Sequence, residues 1–193
     1  KELSKHFSDI YDIQYDDIIA DTYFFEKNKT FNSFVLKLIN IKENYFKKFN
    51  QSKLLEQFSV EEIMTIGSLL EKEGLGYKDK QQISSVIFNR LNANMKLQID
   101  ATVIYSITQG NYNFNRKLLI SDLNIDHPYN TYKYYGLPPK PISYVGKKTL
   151  EIIFENNKTD FLFYFFDKSL NKHVFSKNYE EHIQKLKKYR NEK

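Results

Sequence analysis

The spacing of apolar residues along the chain predicts mostly helices. After Thr30, a candidate N-cap, apolar positions recur at helical spacing to about Phe49. Ser59 and Glu62 form a capping box that opens another helix, and Gly74 is a natural place for that helix to end. Three further helices are predicted on the same grounds: Asp79 to Leu91, Ala101 to Ile107 with Asp100 as its cap, and residues 146–155.

Three segments have the composition of strands instead. Ile18–Phe25 is rich in β-branched and aromatic residues, and Phe161–Phe166 and Lys172–Ser176 flank the turn DKSLN. An amphipathic helix follows from Tyr179 to the end of the chain. Helices with a few strands, in no βαβ rhythm, predict an α+β fold. We expect a mainly helical domain with a small C-terminal β-hairpin and a terminal helix.

Residues 109–146 contain turn residues in place of a periodic pattern. They hold all four Pro residues and three of the six Gly residues of the chain. A loop region this long in a compact domain is usually functional or disordered. Its aromatic content argues against disorder, so we expect it to have a function.

Composition and charge narrow the function only slightly. The chain has 193 residues and a formal net charge of +5, which suits nucleic acid, an acidic membrane surface or an acidic wall polymer. It contains no nucleic-acid-binding motif, so we expect no nucleic-acid partner. The absence of Cys excludes thiol catalysis, and the four His residues lack metal-ligand spacing. The longest apolar run, Phe161–Phe166, is too short to span a bilayer.

The stretch GSLLEKEG places two carboxylates at the end of a predicted helix. At about 100° per residue, Glu71 and Glu73 point roughly 200° apart, so they cannot form a paired-carboxylate site. Acidic residues near a helix C-terminus oppose the macrodipole, and a carboxyl turned into a cleft there is pushed toward its neutral form. A general acid must be neutral. These patterns leave open whether both are surface charges or one is a catalytic acid.

Four strings, in this order and spacing, together resemble one known family. They are EKEG (Glu71–Gly74), SSVIFNRL (Ser84–Leu91), MKLQIDATVIY (Met95–Tyr105) and YNTYKYYGLPPKPI (Tyr129–Ile142). The chain is similar to the MltG (YceG-like) endolytic murein transglycosylases on these strings. The upstream ADTYFF, Ala20–Phe25, also resembles the family, so the similarity covers nearly the whole chain from about Asp21.

The resemblance implies an activity. Members of the family cut peptidoglycan glycan strands internally, between MurNAc and GlcNAc, and leave a 1,6-anhydro-MurNAc end without hydrolysis. The family acts in cell-wall synthesis and remodelling, which suggests wall-synthesis enzymes as further partners. It implies no metal or organic cofactor.

The resemblance also implies a location and a domain organisation. Family members are usually anchored by one N-terminal helix, with the catalytic part on the extracytoplasmic face of the cytoplasmic membrane. The anchor would lie outside this chain. Residues 1–28 would be the remnant of a LysM-like N-terminal region or a linker, and residues 29–193 the YceG-like catalytic domain.

The catalytic Glu of the family, aligned on EKE, falls on Glu73. This alignment leaves Glu71 as a supporting group beside the substrate or as a structural charge. Four more residues are candidates for binding substrate: Gln98 and Asp100 in LQID, and Asn130 and Tyr132 in YNTY. The alternative for each of the four is a local capping or turn role.

Asn89 and Arg90 in FNRL are expected to brace their own helix more than to contact substrate.

Three other functions remain open. Two of them are a hydrolytic muramidase, in which water replaces the C6 hydroxyl, and a non-catalytic peptidoglycan-binding scaffold of the elongation machinery. A basic nucleic-acid binder is the third alternative.

Overall fold

The computed structural model describes residues 13–26 and 28–191, which hold seven α-helices and two small two-stranded sheets. The helices are α1 (Phe31–Lys47), α2 (Lys53–Gln57), α3 (Val60–Glu73), α4 (Tyr77–Asn92), α5 (Asp100–Thr108), α6 (Lys147–Glu155) and α7 (Tyr179–Asn191). The strands are β1 (Ile19–Ala20), β2 (Val145–Gly146), β3 (Phe163–Asp167) and β4 (Lys172–Ser176), and a 3₁₀ helix covers Ile120–Asn124. The α+β, mainly helical fold with a C-terminal hairpin and terminal helix is confirmed.

The predicted N-terminal remnant is described only in part. Residues 1–12 lie outside the described residues, so the boundary between residues 28 and 29 stays a prediction. Within the described ranges, none of the helices combines the length and the apolar character needed to cross a lipid bilayer.

Helix α3 forms the centre of the hydrophobic core. Every residue from Ile63 to Leu70 is buried, and the helix packs against α4, α5, α6 and β2. The predicted capping box is present, because Ser59 Oγ accepts the Glu62 N–H at 3.2 Å and Glu62 Oε2 accepts the Ser59 N–H at 2.8 Å. The helix ends at Glu73. Burial along its length fixes the direction of the side chains in its last turn.

The segment before α6 crosses α3 at Gly67. A Cβ at this position would lie 2.6 Å from Val145 Cγ1, so a larger residue would push the two segments apart. Next to it, Ser68 Oγ accepts the Ile142 N–H at 3.0 Å. Val145 in turn pairs in parallel with Ile19. These contacts join the N-terminal segment, the long loop and α3.

The antiparallel β3–β4 hairpin is held by α4 and α7. Phe163 pairs with Ser176 at its open end, and α7 packs against both strands. On α4, Asn89 Nδ2 donates to the carbonyl oxygens of Thr159 at 2.7 Å and Phe161 at 2.9 Å. Asn89 therefore fixes the entry to the hairpin.

One predicted strand is much shorter than expected, and one helix was not predicted. The predicted strand over Ile18–Phe25 is regular only at Ile19–Ala20, because β2 offers just two residues for pairing. Beyond β1 the segment leaves the core, and Phe24 is 86% exposed. Helix α2 was not predicted, because five residues are too few to show a helical period.

Candidate active site

Glu73, the last residue of α3, lines a polar cleft of roughly 410 Å³. The start of α5, the long loop and the β3–β4 hairpin form the walls of this cleft. The polar and titratable residues lining it are Glu73, Arg90, Gln98, Asp100, Tyr132, Tyr164, His173, Tyr179 and His182. The apolar ones are Leu97, Phe163, Phe165 and Phe166.

The surroundings of Glu73 favour its neutral form. Burial is the largest influence and raises the pKa of the Glu73 carboxyl. A hydrogen bond from Tyr164 is next in size and lowers this pKa, the negative charge of Asp100 raises it, and His173 and the backbone N–H of Ala101 lower it by smaller amounts. The Tyr164 hydroxyl donates to Glu73 Oε2 at 3.1 Å. The net result is a raised pKa on a carboxyl held by a buried helix, the environment of a general acid.

A second carboxylate lies in the same cleft. Asp100 is the first residue of α5 and is exposed to solvent. The Tyr132 hydroxyl donates to Asp100 Oδ1 at 2.5 Å, which links the long loop to the start of α5. The prediction that Asp100 caps α5 is wrong, because the N-cap is Ile99 and Asp100 is the first helical residue. The Asp100 carboxylate instead accepts the Tyr132 hydrogen bond inside the cleft.

His173 lines the cleft and is paired with Asp79. His173 Nδ1, on β4, lies 2.9 Å from Asp79 Oδ2, and Asp79 Oδ2 also accepts the Leu75 N–H at 2.9 Å. The edge of the His173 ring packs against Tyr164, with ring centroids 5.3 Å apart. This pair ties the hairpin to the turn between α3 and α4, on the same side as Glu73.

Glu71 faces away from the cleft into a structural network. Its carboxylate accepts from Lys80 Nζ at 2.6 Å, from Thr149 Oγ1 at 2.6 Å and from the Gly146 N–H at 3.0 Å. Burial alone would raise the pKa of Glu71, but these hydrogen bonds and the Lys80 charge outweigh it and hold the pKa below its usual value. Glu71 thus joins α3 to α4 and to the start of α6.

The other predicted residues divide between cleft and loop. Gln98 lies on the cleft wall with an exposed side chain, on a left-handed backbone with φ of 52°. Asn130 is fully buried. Its amide donates to the carbonyl oxygens of Leu123 and Ile125, and its Oδ1 accepts the Tyr132 N–H. The structure therefore brings Gln98, Asp100 and Tyr132 to Glu73, and places Asn130 inside the loop that carries Tyr132.

Sequence reasoning missed the contribution of the hairpin and α7. Tyr164 and His173 come from opposite strands, and Tyr179 and His182 from the first turn of α7. A usable signal was present: five of the six positions of FLFYFF are aromatic and the sixth is Leu162, so the positions that a one-sided hairpin would leave polar are filled as well. Among the described residues, no three His, Asp or Glu side chains are grouped closely enough to hold a metal ion.

Comparison with known proteins identifies the family. Residues 15–188 match the model of the YceG-like family. The chain is 32% identical to a YceG-like protein of Listeria monocytogenes, whose crystal structure superposes with a TM-score of 0.74. That match covers 87% of this chain and 54% of the Listeria chain.

Two relatives have an assigned activity. An endolytic murein transglycosylase of Bacillus subtilis strain 168 is 36% identical over 166 residues, which are 86% of this chain and 45% of the relative. One from Streptococcus pneumoniae strain D39 is 30% identical over 175 residues, 89% of this chain and 31% of the relative. The chain thus spans less than half the length of these relatives. The resemblance seen in the sequence is confirmed: the chain belongs to the YceG-like family.

Proposed function

We propose that this chain is the catalytic domain of an endolytic murein transglycosylase. It cleaves the β-1,4 bond between MurNAc and GlcNAc and leaves a 1,6-anhydro-MurNAc end. The names of the Bacillus and Streptococcus relatives support this substrate class. The observation that carries the proposal is Glu73, a carboxyl with a raised pKa in a cleft of a size to accept sugar rings.

In the first step Glu73 acts as a general acid. The neutral carboxyl donates its proton to the glycosidic oxygen, and the bond from that oxygen to C1 of MurNAc breaks. The raised pKa favours the neutral, proton-donating form of Glu73 relative to an exposed carboxyl. The Tyr164 hydroxyl donates a hydrogen bond to Glu73 Oε2, and this bond orients the carboxyl in the cleft.

In the second step the same carboxylate acts as a base. It accepts the proton of the C6 hydroxyl of MurNAc, whose oxygen bonds to C1 and closes the 1,6-anhydro ring. One proton leaves Glu73 and one returns, so the reaction consumes no water. The substrate supplies its own nucleophile, and a second carboxylate need not play that part.

The positive charge that develops at C1 needs stabilisation. Asp100 is the negative group of the cleft placed to provide it, and the Tyr132 hydroxyl fixes its orientation. Gln98 lies exposed on the same wall, where its Oε1 accepts a long hydrogen bond from Arg90 Nη1 at 3.4 Å and its amide N–H groups are available to acetamido and hydroxyl oxygens. We propose these three as substrate contacts, with Glu71 and Asn130 supporting the site through α3 and the long loop.

The proposed substrate sets the place of action. Peptidoglycan lies outside the cytoplasmic membrane, so the domain acts on the extracytoplasmic side, attached by a single membrane helix in the part of the protein beyond this chain. Wall-synthesis enzymes are the proposed partners there. Resistance of the full-length protein to protease in intact cells, and its cleavage in wall-stripped cells, would test this location.

The direct test is a digest of uncrosslinked glycan strands by the wild type and by Glu73→Gln, with products identified by mass. Anhydro-MurNAc ends, absent with the variant, are the expected result. If the wild type released no fragments from any glycan, in this chain and in the full-length protein, the proposal would be wrong and a non-catalytic wall-binding scaffold would replace it.

A hydrolytic muramidase is the second candidate, and Asp100 is the observation that favours it. Hydrolases of glycosidic bonds use two carboxyl groups, and the cleft contains both Glu73 and Asp100. In that reaction water attacks C1, and the product carries a reducing MurNAc end, one water heavier than the anhydro end. The same digest therefore separates the two reactions.

A further inference from the structure

Arg90 is a buried cation with no carboxylate partner. Its residue surface is 7% exposed, and no ion pair joins it to an Asp or Glu within residues 13–26 and 28–191. Buried charges in proteins are normally paired, because removing them from water is costly. Arg90 also lines the cleft that contains Glu73. Its charge is therefore available to a group that enters the cleft.

Part of the guanidinium has a structural role. Nε donates to the Leu162 carbonyl at 2.6 Å, and Nη1 donates to the carbonyl oxygens of Lys96 and Leu97 at 3.1 and 2.8 Å. Nη1 also makes a long hydrogen bond to Gln98 Oε1, at 3.4 Å. These bonds brace α4 against the entry to the hairpin and against residues 96–98, the bracing role that the sequence predicted. Nη2 has no acceptor in the described part of the chain, and bracing does not account for it. Nη2 keeps two N–H groups that can donate to a carboxylate entering the cleft.

His182 adds a second polar atom without a partner. Its Nδ1 is buried and makes no hydrogen bond to any described residue. The ring is held between Phe163 and Phe165, with centroids 5.3 and 5.7 Å away, and it lines the same cleft. Arg90 and Lys185 place His182 in a positive potential, and burial and these charges lower its pKa. Lys185 itself pairs with Glu181.

The cleft is thus divided by charge. At one end, Glu73 and Asp100 accept hydrogen bonds from the hydroxyls of Tyr164 and Tyr132, at 3.1 and 2.5 Å. At the other end, the Arg90 guanidinium lies 5.2 Å and the His182 ring 5.3 Å from the centre of the Phe163 ring. An anionic group on the substrate would be repelled at the first end and attracted at the second.

We propose that Arg90 and His182 form a carboxylate-binding subsite, in which Arg90 Nη2 and the His182 imidazole hold an acidic group carried by the MurNAc unit. The assignment rests on the proposed function for the identity of the sugar. Two carboxylates fit the chemistry: the free lactyl carboxylate of a peptide-free strand, and a carboxylate of the stem peptide. Either would place MurNAc, and not GlcNAc, beside this end of the cleft.

The test compares three small probes by NMR titration of the purified chain. N-acetylmuramic acid has the free lactyl carboxylate, its lactyl methylamide has the same shape without the charge, and N-acetylmuramoyl-L-alanyl-D-glutamate has carboxylates only on the stem. We expect at least one acidic probe to bind about tenfold or more tightly than the methylamide. The acid that shows this preference identifies the source of the carboxylate.

Variants decide whether the two residues are responsible. Arg90→Gln and His182→Phe should each abolish the preference for the acid, and His182→Phe keeps an aromatic ring between Phe163 and Phe165 if Arg90→Gln fails to fold. Lys187→Gln, which removes an exposed charge from the same helix, should retain the preference. Equal binding of acids and methylamide by the wild type, or a preference that survives in folded His182→Phe, would overturn the subsite. The glycan digest, run on the same samples, reports separately on the proposed activity.

Discussion

Glu71 and Glu73 are two residues apart on one helix, yet they occupy opposite electrostatic environments. Glu71 accepts three hydrogen bonds, one from a lysine, and its pKa is lowered. Glu73 accepts one from Tyr164 and a weaker one from the backbone of Ala101, shares its cleft with Asp100, and has a raised pKa. Residue type and helix position are nearly the same for both. The difference shows that the neighbours brought by tertiary structure decide which carboxyl acts as an acid.

Removing each carboxylate in turn gives the largest expected difference between Glu71 and Glu73. Glu73→Gln should lower the rate of glycan cleavage by about 100- to 10,000-fold, because the amide cannot donate or accept the transferred proton. Glu71→Gln should retain most of the rate per folded molecule. Quantifying anhydro-ended fragments over time measures both. A dead Glu71→Gln with an active Glu73→Gln would reverse the assignment.

The second prediction concerns the stability that Glu71 provides. Glu71 is 26% exposed and Lys80 15%, so Glu71→Gln should lower the free energy of unfolding by about 1–3 kcal/mol. Because the pKa of Glu71 is lowered in the folded state, this contribution is present at neutral pH and is lost as the pH falls through the folded-state pKa.

Urea unfolding of Glu71→Gln, Lys80→Met and the double variant measures this contribution. The two changes should be non-additive by about 1 kcal/mol, because each removes the same ion pair. Glu73→Gln is the matched control, since Glu73 forms no ion pair with a Lys or Arg among the described residues. Additive effects of the Glu71 and Lys80 changes would show that the pair contributes nothing specific.

Asp100→Asn should affect both the rate and its pH dependence. Loss of the negative charge near C1 should lower cleavage by about 100-fold. It should also lower the pKa of Glu73, because Asp100 is one of the causes that raise it. The fall of kcat/KM on the alkaline side should then begin at a lower pH than in the wild type. If this alkaline limb of the kcat/KM profile stayed at the same pH, Asp100 would be too well solvated to influence the pKa of Glu73.

Tyr164→Phe should have the smallest effect on the rate, and it should shift the pH dependence in the opposite direction. The Tyr164 hydroxyl lowers the pKa of Glu73 by its hydrogen bond, so its removal should raise that pKa. The alkaline limb of kcat/KM should move to higher pH. Tyr132→Phe, which removes a hydrogen bond to Asp100 instead, is the matched control. Movement of the limb to lower pH in Tyr164→Phe would contradict the hydrogen-bonding role.

The local features of this fold could be predicted from the sequence. The capping box at Ser59 and Glu62, the end of α3 before Gly74 and the hairpin strands all depend on residues close together in the chain. The predicted strand Ile18–Phe25 was mostly wrong, because its extent depends on a distant partner of only two residues. Local patterns thus locate elements but not their tertiary partners.

The site was predictable only in part for the same reason. Gln98, Asp100 and Tyr132 were found through strings that resemble the family, and the structure places them beside Glu73. Nothing local indicated that Tyr164, 91 residues away in sequence, would bond Glu73. Similarly, Glu71 meets Thr149 across 78 residues. The electrostatic difference between the two glutamates therefore arises from contacts that the sequence pattern does not contain.

The most direct test of this difference is a titration of both carboxyl carbons by ¹³C NMR, with the signals assigned through Glu71→Gln and Glu73→Gln. Glu73 should titrate above the ordinary value of about 4.3, and Glu71 below it. Observation of both at the ordinary value, or of Glu71 above Glu73, would contradict the account that the cleft makes Glu73 the acid.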